Sequence, residues 1–177
     1  MSAKNIFITG RPGIGKTTAI MKAIERLDLP MHGFYTREMR EGGSRVGFEI
    51  RDLEGNSATM AHVDIDGPPS VSKYGVDPGA VDRVGVAALR RALDEGTVAV
   101  LDEVGKMELA SDAFVEVLGE LLDAEVPVLG TVHAKQETCA DRIRDRDDAE
   151  VITLTKDNRD EVPGQVARRL QDLWAGR

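Results

Sequence analysis

Eight residues near the start of the chain, Gly10-Arg11-Pro12-Gly13-Ile14-Gly15-Lys16-Thr17, limit what it can become more than any other feature. They match G-x-x-x-x-G-K-[ST], a pattern in which glycines let backbone N–H groups curl around an anion with no Cβ in the way. Average residue usage gives such a four-position match by chance in roughly 1% of chains of this length, so the flanking sequence decides. Lys4–Thr9 is short, apolar and partly β-branched, and reads as a buried strand. After it, Ala19, Ile20, Ala23, Ile24 and Leu27 recur at helical spacing and predict an amphipathic helix over Lys16–Leu27. Strand, glycine loop and helix, with the positive end of the helix facing the loop, make a polyphosphate cradle. Lys16 is expected to reach the β- and γ-phosphates, and the Thr17 hydroxyl to ligate Mg²⁺. The competing reading is a plain glycine-rich turn.

Downstream, Gly33–Arg40 and Arg45–Arg51 flank Glu41-Gly42-Gly43-Ser44, a hairpin signal. A second turn at Leu53-Glu54-Gly55-Asn56 leads to a third short strand near Ser57–His62, giving an antiparallel meander at a sheet edge. Gly67-Pro68-Pro69-Ser70 breaks the pattern, and a short extended piece lies around Val71–Val76. Ala80–Asp94 reads as a helix ended near Gly96, and Thr97–Leu101 as a strand buried on both faces. Ser111 is placed to N-cap a helix carrying Phe114, Val117, Leu118, Leu121 and Leu122. Val126–Val132 is another buried strand, Gln136–Arg144 a polar helix, Val151–Leu154 a short strand, and Val162, Val166, Leu170 and Leu173 mark a last helix. Unalternating apolar strands interleaved with helices predict an α/β fold: a mostly parallel central sheet covered on both faces, in three layers, with the antiparallel meander at its edge. With 177 residues and no linker, a single domain over 1–177 is expected.

Asp102 and Glu103 follow the apolar run Val98–Leu101. An acid at the carboxyl end of a central strand, opposite a phosphate loop, is placed to hold Mg²⁺ through its water shell. The adjacent Glu103 is then a candidate to orient or deprotonate an attacking water. Each acid has a plainer alternative, capping the turn after the strand. In phosphate-loop ATPases with this acid pair one extra strand separates the two motif strands, so Val126–Val132 is expected between Lys4–Thr9 and Thr97–Leu101. Thr131 and His133, ending that strand, are candidates to sense a γ-phosphate, against a simple strand-end hydrogen bond. Phosphoryl transfer calls for cations besides Lys16 and the metal, and Lys106, Arg37 and Arg11 are the candidates. Late in the chain, Asn158 offers amide hydrogen bonds and Arg159 a guanidinium plane to a nucleobase. Helix capping is the alternative for Asn158.

Acidic residues outnumber basic ones 31 to 23, for a formal charge of −8, which disfavours nucleic acid as a partner. No run approaches the length of a membrane span, and no apolar leader precedes Lys4. The single cysteine, Cys139, points to a reducing cytoplasm rather than a disulfide framework.

Several segments together resemble one family. Ile6–Thr18, the hairpin "GFYTREMREGGSRVGFEI" over Gly33–Ile50, and "VAVLDEVGKMEL" over Val98–Leu109 are similar to the small cancer-related/thermophilic nucleoside-triphosphatases. "GTVH" at Gly130–His133 and Asn158-Arg159 fit the same spacing, so the resemblance covers nearly the whole chain. It implies a P-loop NTPase fold. It also implies Mg²⁺-dependent hydrolysis of ATP, GTP and other nucleoside triphosphates to diphosphate and phosphate, with low base selectivity. By motif position the nucleotide-binding segments are Gly10–Thr17 with Thr18, and Val98-Ala99-Val100-Leu101-Asp102-Glu103-Val104-Gly105. The chain is expected to act as a monomer with nucleoside triphosphates as its partners. Two rivals share this sequence signature. One is a nucleoside or nucleotide kinase with slow intrinsic hydrolysis, and the other is an ATP-dependent factor acting on RNA or DNA.

Overall fold

The computed structural model describes residues 3–134 and 137–177. Its centre is a nine-stranded sheet in the order β5-β6-β4-β3-β2-β7-β8-β1-β9. The strands are β1 (Asn5–Thr9), β2 (Met31–Glu41), β3 (Ser44–Asp52), β4 (Ser57–His62), β5 (Ser70–Val71), β6 (Tyr74–Val76), β7 (Val98–Val104), β8 (Val128–Val132) and β9 (Ala149–Thr153). β8 pairs in parallel with both β1 and β7, so it is the expected intervening strand between the two motif strands.

β2 belongs to two pairing regimes. Met31–Phe34 pairs in parallel with Val98–Leu101 of β7, and Phe34–Glu41 runs on antiparallel to β3. The meander is thus continuous with the parallel sheet, and it is wider than the sequence suggests, because β6 pairs with β4 and β5 with β6. Gly42 and Gly43 both take positive φ in the two-residue β2–β3 turn, the conformation that matches the twist of the flanking strands.

Alternate residues of the buried strands feed two cores. Ile6, Ile8, Val98, Val100 and Leu129 meet α1 (Lys16–Ile24) and α6 (Val162–Ala175) through Ile20, Ala23, Val166 and Leu170. On the other face Phe7, Ala99, Leu101 and Val132 meet Leu89, Phe114, Val117 and Leu121. These last come from α3 (Ala87–Glu95) and α4 (Asp112–Asp123). Full burial of each such Leu or Phe favours folding by about 1.5–3 kcal/mol, and this sandwiching is why the central strands read as unbroken apolar runs.

Some boundaries differ from expectation. α1 ends at Ile24 rather than Leu27, because the chain tightens there: Arg26 N–H donates to Ala23 O and Leu27 N–H to Ile24 O. The helix expected over Ala80–Asp94 is α2 (Pro78–Ala80), a π-helical stretch Val81–Val86, and α3. The wide turn coincides with Gly85, where a Cβ would meet Ile50 Cδ1 at 2.9 Å. Ser111 caps α4 as expected, its hydroxyl accepting from Phe114 N–H at 3.0 Å. Of the polar helix expected from Gln136, α5 (Glu137–Arg144) is observed, and Gln136 itself lies outside the described residues. Among the described residues no helix is long and apolar enough to cross a membrane.

Candidate active site

The phosphate loop sits where β1 ends and α1 begins, beside the carboxyl ends of β7 and β8. Gly15 caps α1 at φ 110° and ψ 32°, a left-handed conformation suited to glycine. No side chain caps this helix, and its first turn holds no acid, so its first N–H groups and positive dipole end are left to an anion. Ile14 tucks into the core while Arg11, Pro12 and Gly13 are exposed. Thr18 is exposed on the first turn of α1. Lys16 Nζ donates to Gly10 O at 3.0 Å and lies 3.9 Å from Glu103 Oε2.

β7 runs three residues beyond the expected Leu101, so Asp102 and Glu103 lie within the strand rather than after it. The β7–β8 register shifts between Leu101 and Val104, at the two acids. Asp102 is 1% exposed. Its Oδ2 accepts from Thr17 Oγ1 and its Oδ1 from Thr131 Oγ1, both at 2.7 Å. The Thr36 backbone N–H from β2 also donates to it. Burial pushes the Asp102 carboxyl up from the ordinary range, against these donors and the Lys16 charge. Glu103 is also pushed up, chiefly by burial and further by Asp102, while Lys16 and His133 pull it down. A buried carboxylate supplied mainly with neutral donors is short of positive charge. Thr17 Oγ1 and Asp102 Oδ2, in contact at the helix start, form an all-oxygen donor pair that suits a small hard cation such as Mg²⁺. Among the described residues there is no cluster of three or more His, Cys, Asp or Glu able to cage a metal.

Three expectations change in detail. Val98, Ala99, Val100 and Leu101 of the expected nucleotide-binding segment are wholly buried, and its polar end is Asp102 and Glu103. The apolar residues set the depth at which Asp102 emerges. Thr131 is fully buried with its hydroxyl on Asp102, so it serves the acid rather than facing a γ-phosphate. Asn158 commits its amide to the loop between β9 and α6: Nδ2 donates to Thr153 O at 2.9 Å, and Oδ1 accepts from Thr155 N–H at 2.8 Å. That loop abuts the phosphate loop, since Leu154 N–H donates to Thr9 O at 2.8 Å, and it carries Arg159 exposed. Arg37 is exposed on β2, opposite Glu49 of β3, and Lys106 is exposed in the turn after β7. Sequence reasoning missed Glu108, the last acid of the segment after β7, which is 4% exposed. Its flanking Met107 and Leu109 were the available signal.

The chain matches the family model described as NTPase over residues 5–167. It is 44% identical over 182 residues to "Nucleoside-triphosphatase THEP1" of Thermofilum pendens, covering 99% of this chain and 100% of that one. It is 37% identical over 185 residues to the human "Cancer-related nucleoside-triphosphatase", covering 96% and 97%. The crystal structure of THEP1 from Aquifex aeolicus superposes with a TM-score of 0.87 at 32% identity, covering 94% of this chain and 99% of that one. Loop, paired acids and intervening strand lie inside one continuous match that runs from the first buried strand into the last helix, and by that match the chain belongs to the NTPase family.

Proposed function

We propose that this chain, a nucleoside triphosphatase of the NTPase family, hydrolyses ATP, GTP and other nucleoside 5′-triphosphates by directing water at the γ-phosphorus with Glu103. The observation that carries this reading is the position of Glu103. It is partly open to solvent and 3.9 Å from the Lys16 ammonium, on the strand whose preceding residue, Asp102, is bound to Thr17. Gly10, Gly13, Gly15 and Thr18 present backbone to the phosphates around Lys16. Glu103 accepts a hydrogen bond from water and aims its oxygen along the line of attack. The new bond forms from the water oxygen to the γ-phosphorus, the bond to the β-phosphate oxygen breaks and the diphosphate leaves, while the proton lost by the water passes to Glu103 and on to the released phosphate. Lys16 offsets the charge on the leaving oxygen, with Arg37 and Lys106 as further cations. Thr17 and Asp102 would hold Mg²⁺, which when bound supplies Lewis-acid neutralisation of the phosphate oxygens.

Arg159 offers a stacking plane to the base, on a loop shaped by Asn158. One exposed guanidinium beside an open edge fits low base selectivity, because any base presents a face to stack on. One domain over 1–177 carries the activity, as a monomer in a reducing cytoplasm. The test is phosphate release from ATP, GTP, CTP and UTP with Mg²⁺ and with a chelator. All four are expected to turn over within about tenfold of each other and to stop on chelation. Loss of ATP that requires a nucleoside or nucleotide acceptor, with the acceptor phosphorylated, would replace this reading with a kinase.

A further inference from the structure

Glu108 has no part in the chemistry above, yet it is buried beside it, only 4% exposed. It opens the short 3₁₀ turn Glu108–Ala110, and that turn is tied back by Leu109 N–H donating to Gly105 O at 2.9 Å. Its carboxyl therefore returns toward the end of β7. Gly105 marks the meeting point. A Cβ built there would lie 2.9 Å from Glu108 Oε2, 3.0 Å from Glu103 Oε1 and 3.2 Å from Glu103 Cγ. Both carboxyls thus close on one point, and their oxygens lie within about 6 Å of each other. A side chain at Gly105 would press on both of them.

We infer that Glu108 is a positioning residue for hydrolysis: its enclosed carboxyl walls the space beside Gly105 and holds Glu103 turned toward Lys16 and the water it directs. The role rests on the Glu103 reading above. A neutral group suits it, since a second negative charge would push Glu103 out of line. Burial first, and then Glu103, raise the Glu108 carboxyl to about 8, so it stays protonated at neutral pH. Among the described residues, Asp102 on β7, Lys16 on α1 and His133 after β8 act electrostatically on the pair.

The experiment measures kcat, KM for ATP and melting temperature for Glu108→Leu, Glu108→Gln, Gly105→Ala, Glu103→Gln and the Glu103→Gln/Glu108→Leu pair. Glu108→Leu is expected to lower kcat about tenfold or more, because small misplacements near the chemistry are expensive in rate, with KM within about twofold. Glu108→Gln keeps the neutral polar shape and is expected to recover most of the rate. Gly105→Ala, which drives a methyl between the two carboxyls, is expected to lower kcat in the same way, and it carries the test if Glu108→Leu does not fold. On the Glu103→Gln background Glu108→Leu is expected to add no further loss. Wild-type kcat in both Glu108→Leu and Gly105→Ala overturns the role, as does an equal loss from Glu108→Leu on the Glu103→Gln background. Glu108→Gln as slow as Glu108→Leu also overturns it. Wild-type turnover in Glu103→Gln defeats the reading of Glu103 itself, whereas an inactive Glu103→Gln beside a fully active Glu108→Leu defeats only the positioning role.

Discussion

The two ends of the parallel strands treat the same kind of residue in opposite ways. At the carboxyl end Asp102, Glu103 and Glu108 are all shifted upward, with burial the largest cause in each. At the amino end, where the chain enters β9 and β7, acids are shifted downward. Asp148 is lowered to about 2, first by its hydrogen bonds from Arg146 and then by Lys4, and Glu95 is lowered by His32 and then Arg91. Arg146 itself is tied to Asp148, Asp123 and the Leu122 carbonyl. At the amino end every acid named has a fixed cationic partner, and the result is structure. At the carboxyl end the acids are enclosed with hydroxyls and amides, with Lys16 acting on Asp102 and Glu103 and His133 on Glu103, a shortage of positive charge that fits the proposed metal–nucleotide complex.

The sharpest way to break this comparison is to alter one acid at each end. Glu103→Gln is expected to lower kcat by about a hundredfold or more while nucleotide binding, read by titration of a fluorescent ATP analogue, holds. Asp102→Asn comes next. It should raise the free Mg²⁺ needed for half-maximal turnover by about 10- to 100-fold, read from rate against free Mg²⁺, because the amide keeps the shape of the acid but not its charge. Stability against pH separates the ends without an activity assay. Glu108 is raised in the folded state from its ordinary 4.5 to about 8, so its contribution is intact below about 4.5 and is lost as pH rises through about 8. Melting temperature should therefore fall across that window and flatten above it, and Glu108→Gln should remove this part of the slope. Asp148, lowered from 3.8 to about 2, works the other way: its contribution is present above its ordinary value and lost as pH falls through about 2, and Asp148→Asn should flatten only this acid limb. The smallest effect expected is that of Arg146→Ala, a loss of about 1–3 kcal/mol in denaturant unfolding with kcat unchanged. A kcat that fell with it would show that the two ends are not independent.

Much of this was legible in the chain because the signals are local. The phosphate loop needs only the order of Gly10 to Thr17, and the helix after it only the spacing of Ala19, Ile20, Ala23 and Ile24. The apolar run before Asp102 fixes the depth of that acid, and the hairpin declares itself through Gly42 and Gly43. The placement of β8 between the motif strands was also within reach, since the Asp-Glu pair carries it. The pairings that join distant segments were not. Nothing in Met31–Phe34 says that one strand will be parallel to β7 at its start and antiparallel to β3 at its end. Thr131 reads in the sequence as a candidate to face a phosphate, and only the fold brings its hydroxyl to Asp102, 29 positions earlier in the chain.

By itself, then, the sequence determined the strand, glycine loop and helix at the start, the two-faced α/β layering and which acids stand at the end of the central strand, because backbone conformation and hydrophobic period are set by neighbours along the chain. The tertiary structure alone decided which acids are deprived of water, which cations stand near them, and that Glu108 and Glu103 both approach Gly105. Desolvation and Coulomb interaction depend on distance in space and on what excludes solvent, and neither is written in the order of residues.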